Sequence, residues 1–454
     1  MGKTLVIASI LLCSLARADD LLVPSLTIDD YAAKAIKEGT NGRLTALSLE
    51  SAGYAREVSF RQTDSPNATA AYTHTRGETS AENIHTVTDT KSNTLTINQP
   101  TPLGTNIQTV GTYGDANKPG LTASITQPLY LFTWNAAART RREADLNFAN
   151  AQDLYESTVL SIRAQARSLY YSVMLGEESI KVQERIVSSS RKLQEITQAL
   201  VQAGKTAPVE LERAKIQTQT NQRQLENAEV SRDKAILLAK NNIAFPLDEP
   251  VHFVSRLEYT PFRLTRQRLT EYAFEHQPQL KTLRRAREQA LLSYQQAQEP
   301  TRPTLSVNTS YGYNELGNDV THGWTLGGGV SWLFFDSFVT SDNVRIARIN
   351  RFVADLNLAE AERTLRVNVK SAYLDVKNAE KQIIDFQSSR EQARHNVDVL
   401  RLRFQNGLER LIDVFDGETN MRNLDNEYLG LLVSYNQAKD TLSQLIGGDV
   451  ETVK

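Results

Sequence analysis

Six histidines and one cysteine limit the chemistry open to this chain of 454 residues. No histidines stand in the His-Glu-x-x-His spacing that sets two imidazoles one helical turn apart around a zinc ion. Cys13 lies in an apolar run, residues 5–15, that follows Lys3 and precedes Ala16-Arg17-Ala18. A short apolar run with a basic start and a small-x-small end is the pattern of a secretory leader. Residues 1–18 are therefore read as a signal peptide, with Asp19 as the first mature residue. Lipid attachment at Cys13 is the competing reading, and Leu12 stands where it needs a small residue. Without Cys13 the chain has no disulfide, thiolate zinc ligand or cysteine nucleophile. Gly327-Gly328-Gly329 falls inside an alternating strand pattern, not before a helix whose amides could cradle phosphate. The many Asp and Glu residues read as solvated faces of long helices. The sequence thus indicates no enzyme and requires no cofactor or metal.

The elements that would position any functional residue are long. Residues 336–406 contain neither Gly nor Pro. Spacings of four and three select Leu365, Val369, Ala372, Val376, Ala379, Ile383, Phe386, Arg390, Ala393, Val397, Leu400 and Phe404, of which only Arg390 is not apolar. An unbroken 3.5-residue period predicts a supercoiled helix with one narrow seam. At about 1.5 Å per residue it is about 100 Å long. Gly407 interrupts it, and a return helix follows from about Arg410 to Ile446. The charged fraction is 23% and the net charge −2, so no basic footprint for nucleic acid is encoded. No later segment is apolar enough to span a bilayer as a helix.

Taken in order, residues 26–61 read as helix with a break around Gly39 and Gly42, and residues 67–75 as a short strand. Residues 77–119 are rich in Thr, Asn and Gly and hold only strand-like pieces at 94–97 and 106–113. A strand at 121–129, a helix at 134–203, a turn at Gly204 and a helix from Pro208 to Ile243 follow. Pro246, Pro250 and Pro261 mark a linker. The plan then recurs, with a helix at 265–298, strands at 305–313 and 324–334, the long helix, the turn and the return helix. Phe132 and Phe335, Tyr170 and Tyr373, and Gly204 and Gly407 share one offset, and Val209-Glu210-Leu211 falls on Ile412-Asp413-Val414. The chain divides into a leader (1–18), a first copy (19–244), a linker (245–264), a second copy (265–447) and a tail (448–454), an internal duplication.

Two strands per copy, apolar on one face and hydroxylated on the other, suit a transmembrane β-barrel. The expected lipid-facing residues are Leu305, Val307, Tyr311, Trp324, Leu326, Val330 and Trp332. Four strands cannot close, and an open edge in lipid leaves backbone groups unpaired. Three copies would supply twelve strands. The alternative is a soluble β-structure beside a coiled coil.

The chain resembles the TolC-like outer-membrane efflux family over essentially all of its mature length. The resemblance rests on Gln127-Pro128-Leu129-Tyr130, Ala372-Tyr373-Leu374, Phe404-Gln405-Asn406-Gly407 with Ile412-Asp413-Val414, and Leu445-Ile446-Gly447. It implies an α+β membrane protein: a homotrimer with a twelve-stranded barrel in outer-membrane lipid, four strands per protomer, and coiled-coil hairpins forming a periplasmic α-barrel. It also implies a passive exit duct for small-molecule efflux or type I secretion, served by a periplasmic adaptor and an inner-membrane pump. The adaptor would contact the turns Gly204-Lys205-Thr206-Ala207 and Gly407-Leu408-Glu409-Arg410; Pro208 departs from the family's usual first turn. Similar proteins carry a carboxylate ring at the tube's constriction, a position occupied here by Asp398, and His395 stands one turn earlier. A carboxylate ring gives cation preference, and a ring of imidazoles gains charge in mildly acidic solution. The competing function is a non-conducting periplasmic coiled-coil adaptor or structural protein, which has no need of lipid-facing strands.

Overall fold

The computed structural model describes residues 25–81, 84–114, 119–130, 135–316 and 319–453. The leader, Cys13 and Phe132 lie outside them. The first copy supplies β1 (Ser25–Leu26), α1 (Ile28–Lys37), α2 (Thr40–Asp64), β2 (Asn67–Ala81), β3 (Ile84–Pro100), β4 (Asn106–Gly114), β5 (Gly120–Leu129), α3 (Ala136–Gln202) and α4 (Pro208–Asn242). After β6 (His252–Phe253) come α5 (Arg266–His276), α6 (Pro278–Gln298), β7 (Thr304–Leu316), β8 (Asp319–Ser331), α7 (Val339–Gln405) and α8 (Leu411–Ile446). The duplication is visible in the helices: α3 and α7 both have 67 residues, and Ala136 and Val339, like Pro208 and Leu411, are 203 positions apart.

The chain forms two compact units, each drawing on both copies. One contains the segment ending at Leu44, residues 158–273 and the segment from Val367 onward. There the seam of α7 behaves as its spacing demands. Val369, Val376 and Ile383 have no exposed surface, and Ala372, Ala379, Val397 and Phe404 are buried. Full burial of such side chains contributes about 1.5–3 kcal/mol each. Arg390, the exception in the series, reaches the buried carboxylate of Asp425 at 2.8 Å and stacks over the Tyr428 ring. The seam tolerates a cation because α8 supplies its counter-charge.

A second core surrounds Tyr31, Tyr170 and Phe253, whose ring centroids lie 5.3–6.0 Å apart. The Tyr170 hydroxyl donates to the Leu26 carbonyl at 3.0 Å and accepts the Ser255 amide at 2.9 Å. It thereby holds both sides of the parallel β1–β6 pair. The segment read as a bare linker is consequently fastened at several points. Glu380 of α7 accepts from the Tyr259 hydroxyl, the Phe262 amide and Lys377 at 2.7–3.0 Å. Burial pushes its carboxyl up, but these donors outweigh that and bring it below its ordinary value.

The other unit, residues 45–157 and 274–366, contains one antiparallel sheet in the order β2-β3-β4-β5-β7-β8. The sheet holds six strands where residue alternation indicated four. The additional pair, β3 and β4, comes from the Thr-, Asn- and Gly-rich stretch. Its outer face interleaves Thr109 and Gly111 with the apolar Leu95, Ile97 and Ile107, which dilutes the alternation by which a strand is recognised. β8 also ends at Ser331, so Trp332 and Phe334 lie beyond the strand rather than within it. Ion pairs join the helices of this unit, among them Arg285 with the buried Asp153, Arg56 with Asp145 and Arg141 with Asp64.

Candidate functional site

Each long hairpin turns on a glycine. Gly204 and Gly407 have φ of +69° and +73°, a conformation that costs other residues about 1 kcal/mol or more. Both turns close identically: the Gly204 amide bonds the Val201 carbonyl and Lys205 that of Leu200, while Gly407 bonds Phe404 and Leu408 bonds Arg403, at 2.9–3.0 Å. These bonds satisfy carbonyls that the helix ends would otherwise leave open. A Cβ at either glycine would meet no atom within 4 Å. The glycines are thus required by the backbone, and the space beside them is free.

Around the turns, Lys205, Ala207, Leu408 and Arg410 are exposed, and Thr206 and Glu409 are half-buried. Arg410 pairs with Asp413 at 2.9 Å in the first turn of α8; its hydrogen bonds hold that carboxyl below the usual range. Val209, Ile412 and Leu408 expose apolar side chains, the first two at equivalent positions of the copies. Behind them the hairpins pack together through Leu193 and Ala214 of the first and Phe404, Leu411, Val414 and Phe415 of the second. The two predicted turns therefore belong to one packed body.

Asp398 and His395 are exposed on α7. Asp398 borders an open groove between α3, α7 and α8 that Arg185, Arg394 and Arg401 also line. It lies 3.6 Å from Arg401, which binds Glu418 at 2.8 Å and Ser189 at 2.7 Å. Within one chain Asp398 is therefore a carboxylate among guanidiniums. Sequence reading missed the buried acids Glu418 and Asp425. Their signal was available: Leu411, Glu418, Asp425 and Leu432 form a strict heptad on α8, with acids at its two central positions.

In the sheet, strand register puts Leu305 opposite Val330, Val307 opposite Gly328 and Tyr311 opposite Trp324, all on one face with Leu326. Leu305 is half-buried; Val307, Tyr311, Trp324, Leu326 and Val330 are exposed, as is Trp332, whose indole N–H reaches the Thr301 carbonyl at 3.3 Å. The other face carries Ser306, Asn308, Ser310 and Thr325. Among the described residues no helix is long and apolar enough to cross a membrane, and no group of three His, Cys, Asp or Glu side chains is arranged for a metal.

A family model for outer membrane efflux proteins matches residues 61–237 and 269–448, one segment in each copy. The chain belongs to the outer membrane efflux protein family. No curated protein matches it in sequence. Solved structures share the fold of this outer membrane efflux protein at low identity. The Campylobacter jejuni CmeC outer membrane channel superposes with a TM-score of 0.70 at 16% identity, over 93% of this chain and 86% of CmeC. The Vibrio cholerae outer membrane protein VceC gives 0.70 at 14%, covering 93% and 96%. The open-state Neisseria gonorrhoeae MtrE outer membrane channel gives 0.70 at 16%, covering 93% and 89%. The TolC-like resemblance read from the turns and strand ends is thereby borne out.

Proposed function

We propose that this efflux protein is one protomer of a homotrimeric, passive exit duct in the outer membrane. A periplasmic adaptor docks on the hairpin turns, and an inner-membrane pump supplies the energy. The observation that carries the reading is the open sheet with one apolar face. Its outermost strands, β2 and β8, have no further strand partner among the described residues. Unpaired backbone in hydrocarbon costs several kcal/mol per group, so a sheet facing lipid must close against other chains. The exposed Leu408, Val209 and Ile412 give an adaptor an apolar contact at the hairpin turns. The cargo is small molecules or a secreted polypeptide, selected by the pump. In this reading Asp398 and His395 face the pore at its narrow end.

Purified protein in planar bilayers tests conduction. Stable conductance steps are expected, and Asp398→Asn is expected to reduce cation preference by a modest factor, because Arg394 and Arg401 share its groove. Protein that binds bilayers without conducting would support the non-conducting adaptor reading instead.

A further inference from the structure

The β3–β4 hairpin has no place in a four-strand protomer. It lies inside the sheet, between β2 and β5, so it does not project as an appendage from an edge. Its faces continue those of its neighbours. Register places Ile107 opposite Ile125 of β5, and Ile97 opposite Ala68 of β2, extending the apolar face of β7 and β8. On the reverse face Thr96 and Asn98 line up with Val110 and Gln108, and the Gln108 amide donates to Asn98 at 2.9 Å.

The hairpin also shares its neighbours' limits. β3 ends in Thr94-Leu95-Thr96-Ile97-Asn98-Gln99-Pro100, and β5, whose last residue is Leu129, contains Thr122-Ala123-Ser124-Ile125-Thr126-Gln127-Pro128. Thr, Ile, Gln and Pro coincide at a constant offset. The two glutamines make the same bond, each amide donating to the carbonyl of the following proline, at 2.9 Å for Gln99 and 2.8 Å for Gln127. β3 and β5 thus end within three residues of one another by one device, Pro100 sharing a cross-strand row with Thr126 through Asn106. At that end a tight turn leads into β4, with the Thr101 amide bonding the Thr105 carbonyl at 2.9 Å and Gly104 at φ +80°. Short turns on the helix side are characteristic of outer-membrane barrels. At the opposite limit Tyr72 and Tyr113 flank Asn93 in one cross-strand row. Beyond that row the same face turns ionic, with His74 paired to Asp89 and Arg76 in register with Asp89. An apolar band bounded by aromatics, with charges beyond, is the profile of a surface meeting acyl chains and then water. Nine residues of β4 are enough to cross a bilayer as a tilted strand.

We propose that β3 and β4 are wall strands whose outer face contacts lipid acyl chains, so that each protomer contributes six strands and the trimer closes an eighteen-stranded barrel. This rests on the trimeric duct reading above. Barrel diameter grows roughly linearly with strand number, so this outlet is about one and a half times as wide as a twelve-stranded one. Barrels of that size enclose an aqueous channel rather than a side-chain-filled core. The outer-membrane end therefore admits polymer-sized solutes, and cargo size is restricted elsewhere along the duct.

Single cysteines test this, in a Cys13→Ser background that removes the only cysteine of the sequence. Leu95, Ile97 and Ile107 sample the apolar face of the hairpin, and Thr96, Asn98 and Gln108 the polar face. Val307 and Asn308 serve as the equivalent pair on β7. The probes are a small membrane-impermeant maleimide, a maleimide on a polyethylene glycol of a few kilodaltons, and spin-labelled lipid as a quencher of a fluorophore at each site. The proposal expects Thr96, Asn98 and Gln108 to take both maleimides, at least tenfold faster than Leu95, Ile97 and Ile107. The latter three are expected to be quenched from the bilayer. Alternation on β7 with equal labelling of both hairpin faces would make β3–β4 an extramembrane flap and overturn the proposal while the duct stands. Polar-face labelling by the small reagent alone would overturn the wide outlet. Loss of alternation on β7 as well would overturn both readings.

Discussion

Glu418 and Arg401 show how a single buried charge governs the tip hairpins. Glu418 is 5% exposed and accepts from Arg401 and from Ser189 on the other hairpin. Glu418→Ala leaves the Ser189 hydroxyl without its acceptor and Arg401 with only Ser189 and the exposed Asp398. It is expected to cost about 2 kcal/mol, less than a fully buried pair because Arg401 retains some solvent contact. Hydrogen exchange across α8 measures this: amides near residues 411–425 should exchange faster in the variant, and unchanged rates would contradict the role. Tyr170→Phe is the counterpart in the other core. It deprives the Ser255 amide of its acceptor and the Leu26 carbonyl of one of two donors, the Val254 amide remaining at 3.2 Å, for about 1–3 kcal/mol in urea denaturation. Sequence singled out Tyr170 and Tyr373 as equivalent landmarks but gave no hint of their different surroundings. Tyr170 is buried against Phe253, whereas Tyr373 is half-buried beside Phe262. Those partners come from distant, irregular chain that no periodicity places.

At the scale of elements, the long helices were legible because an apolar seam without Gly or Pro admits few other structures. Arg390 was the visible anomaly, and its explanation lay on α8, out of reach of a one-helix reading. The strands β3 and β4 were less legible because β4 carries threonine and glycine on both faces, and the face of β3 opposite its threonines mixes Leu95 and Ile97 with Asp89, Lys91 and Asn93. The linker was legible only as a break, its prolines concealing the hydrogen bonds that secure it. Its attachment to Glu380 carries a pH dependence. A carboxyl lowered by folding contributes stability that is fully present above its unfolded value and is lost as pH falls through the folded value. Acidification through and below the ordinary glutamate range should therefore release residues 255–262 to proteolysis. Glu380→Gln should be cleaved more readily at neutral pH and lose most of that acid dependence; a wild-type cleavage rate flat with pH would contradict it. At the turns, Gly204→Ala and Gly407→Ala should each cost about 1 kcal/mol in thermal unfolding, from backbone strain alone, because a Cβ meets no atom within 4 Å. A photo-crosslinker replacing Leu408 should capture a periplasmic protein of adaptor type. Capture of nothing by an otherwise functional protein would remove Leu408 from the docking surface.

For the whole molecule, the family and the α+β architecture followed from elements in a fixed order, repeated twice, which is a stronger constraint than any one motif. What one chain's sequence leaves open is how many copies complete it, because closure of the sheet is a property of the assembly. The same reason keeps Asp398 and His395 ambiguous: in one chain they are exposed residues on a helix, and only symmetry would make them a ring. On the duct reading proposed above, the open sheet is completed by identical neighbours in outer-membrane lipid. The most direct test is the mass of the protein extracted from outer membranes in mild detergent, with the bound detergent subtracted. Three chains that stay together on dilution are expected. A monomer, or protein recovered from the soluble periplasm, would leave the edges β2 and β8 unpaired outside any bilayer and contradict the duct.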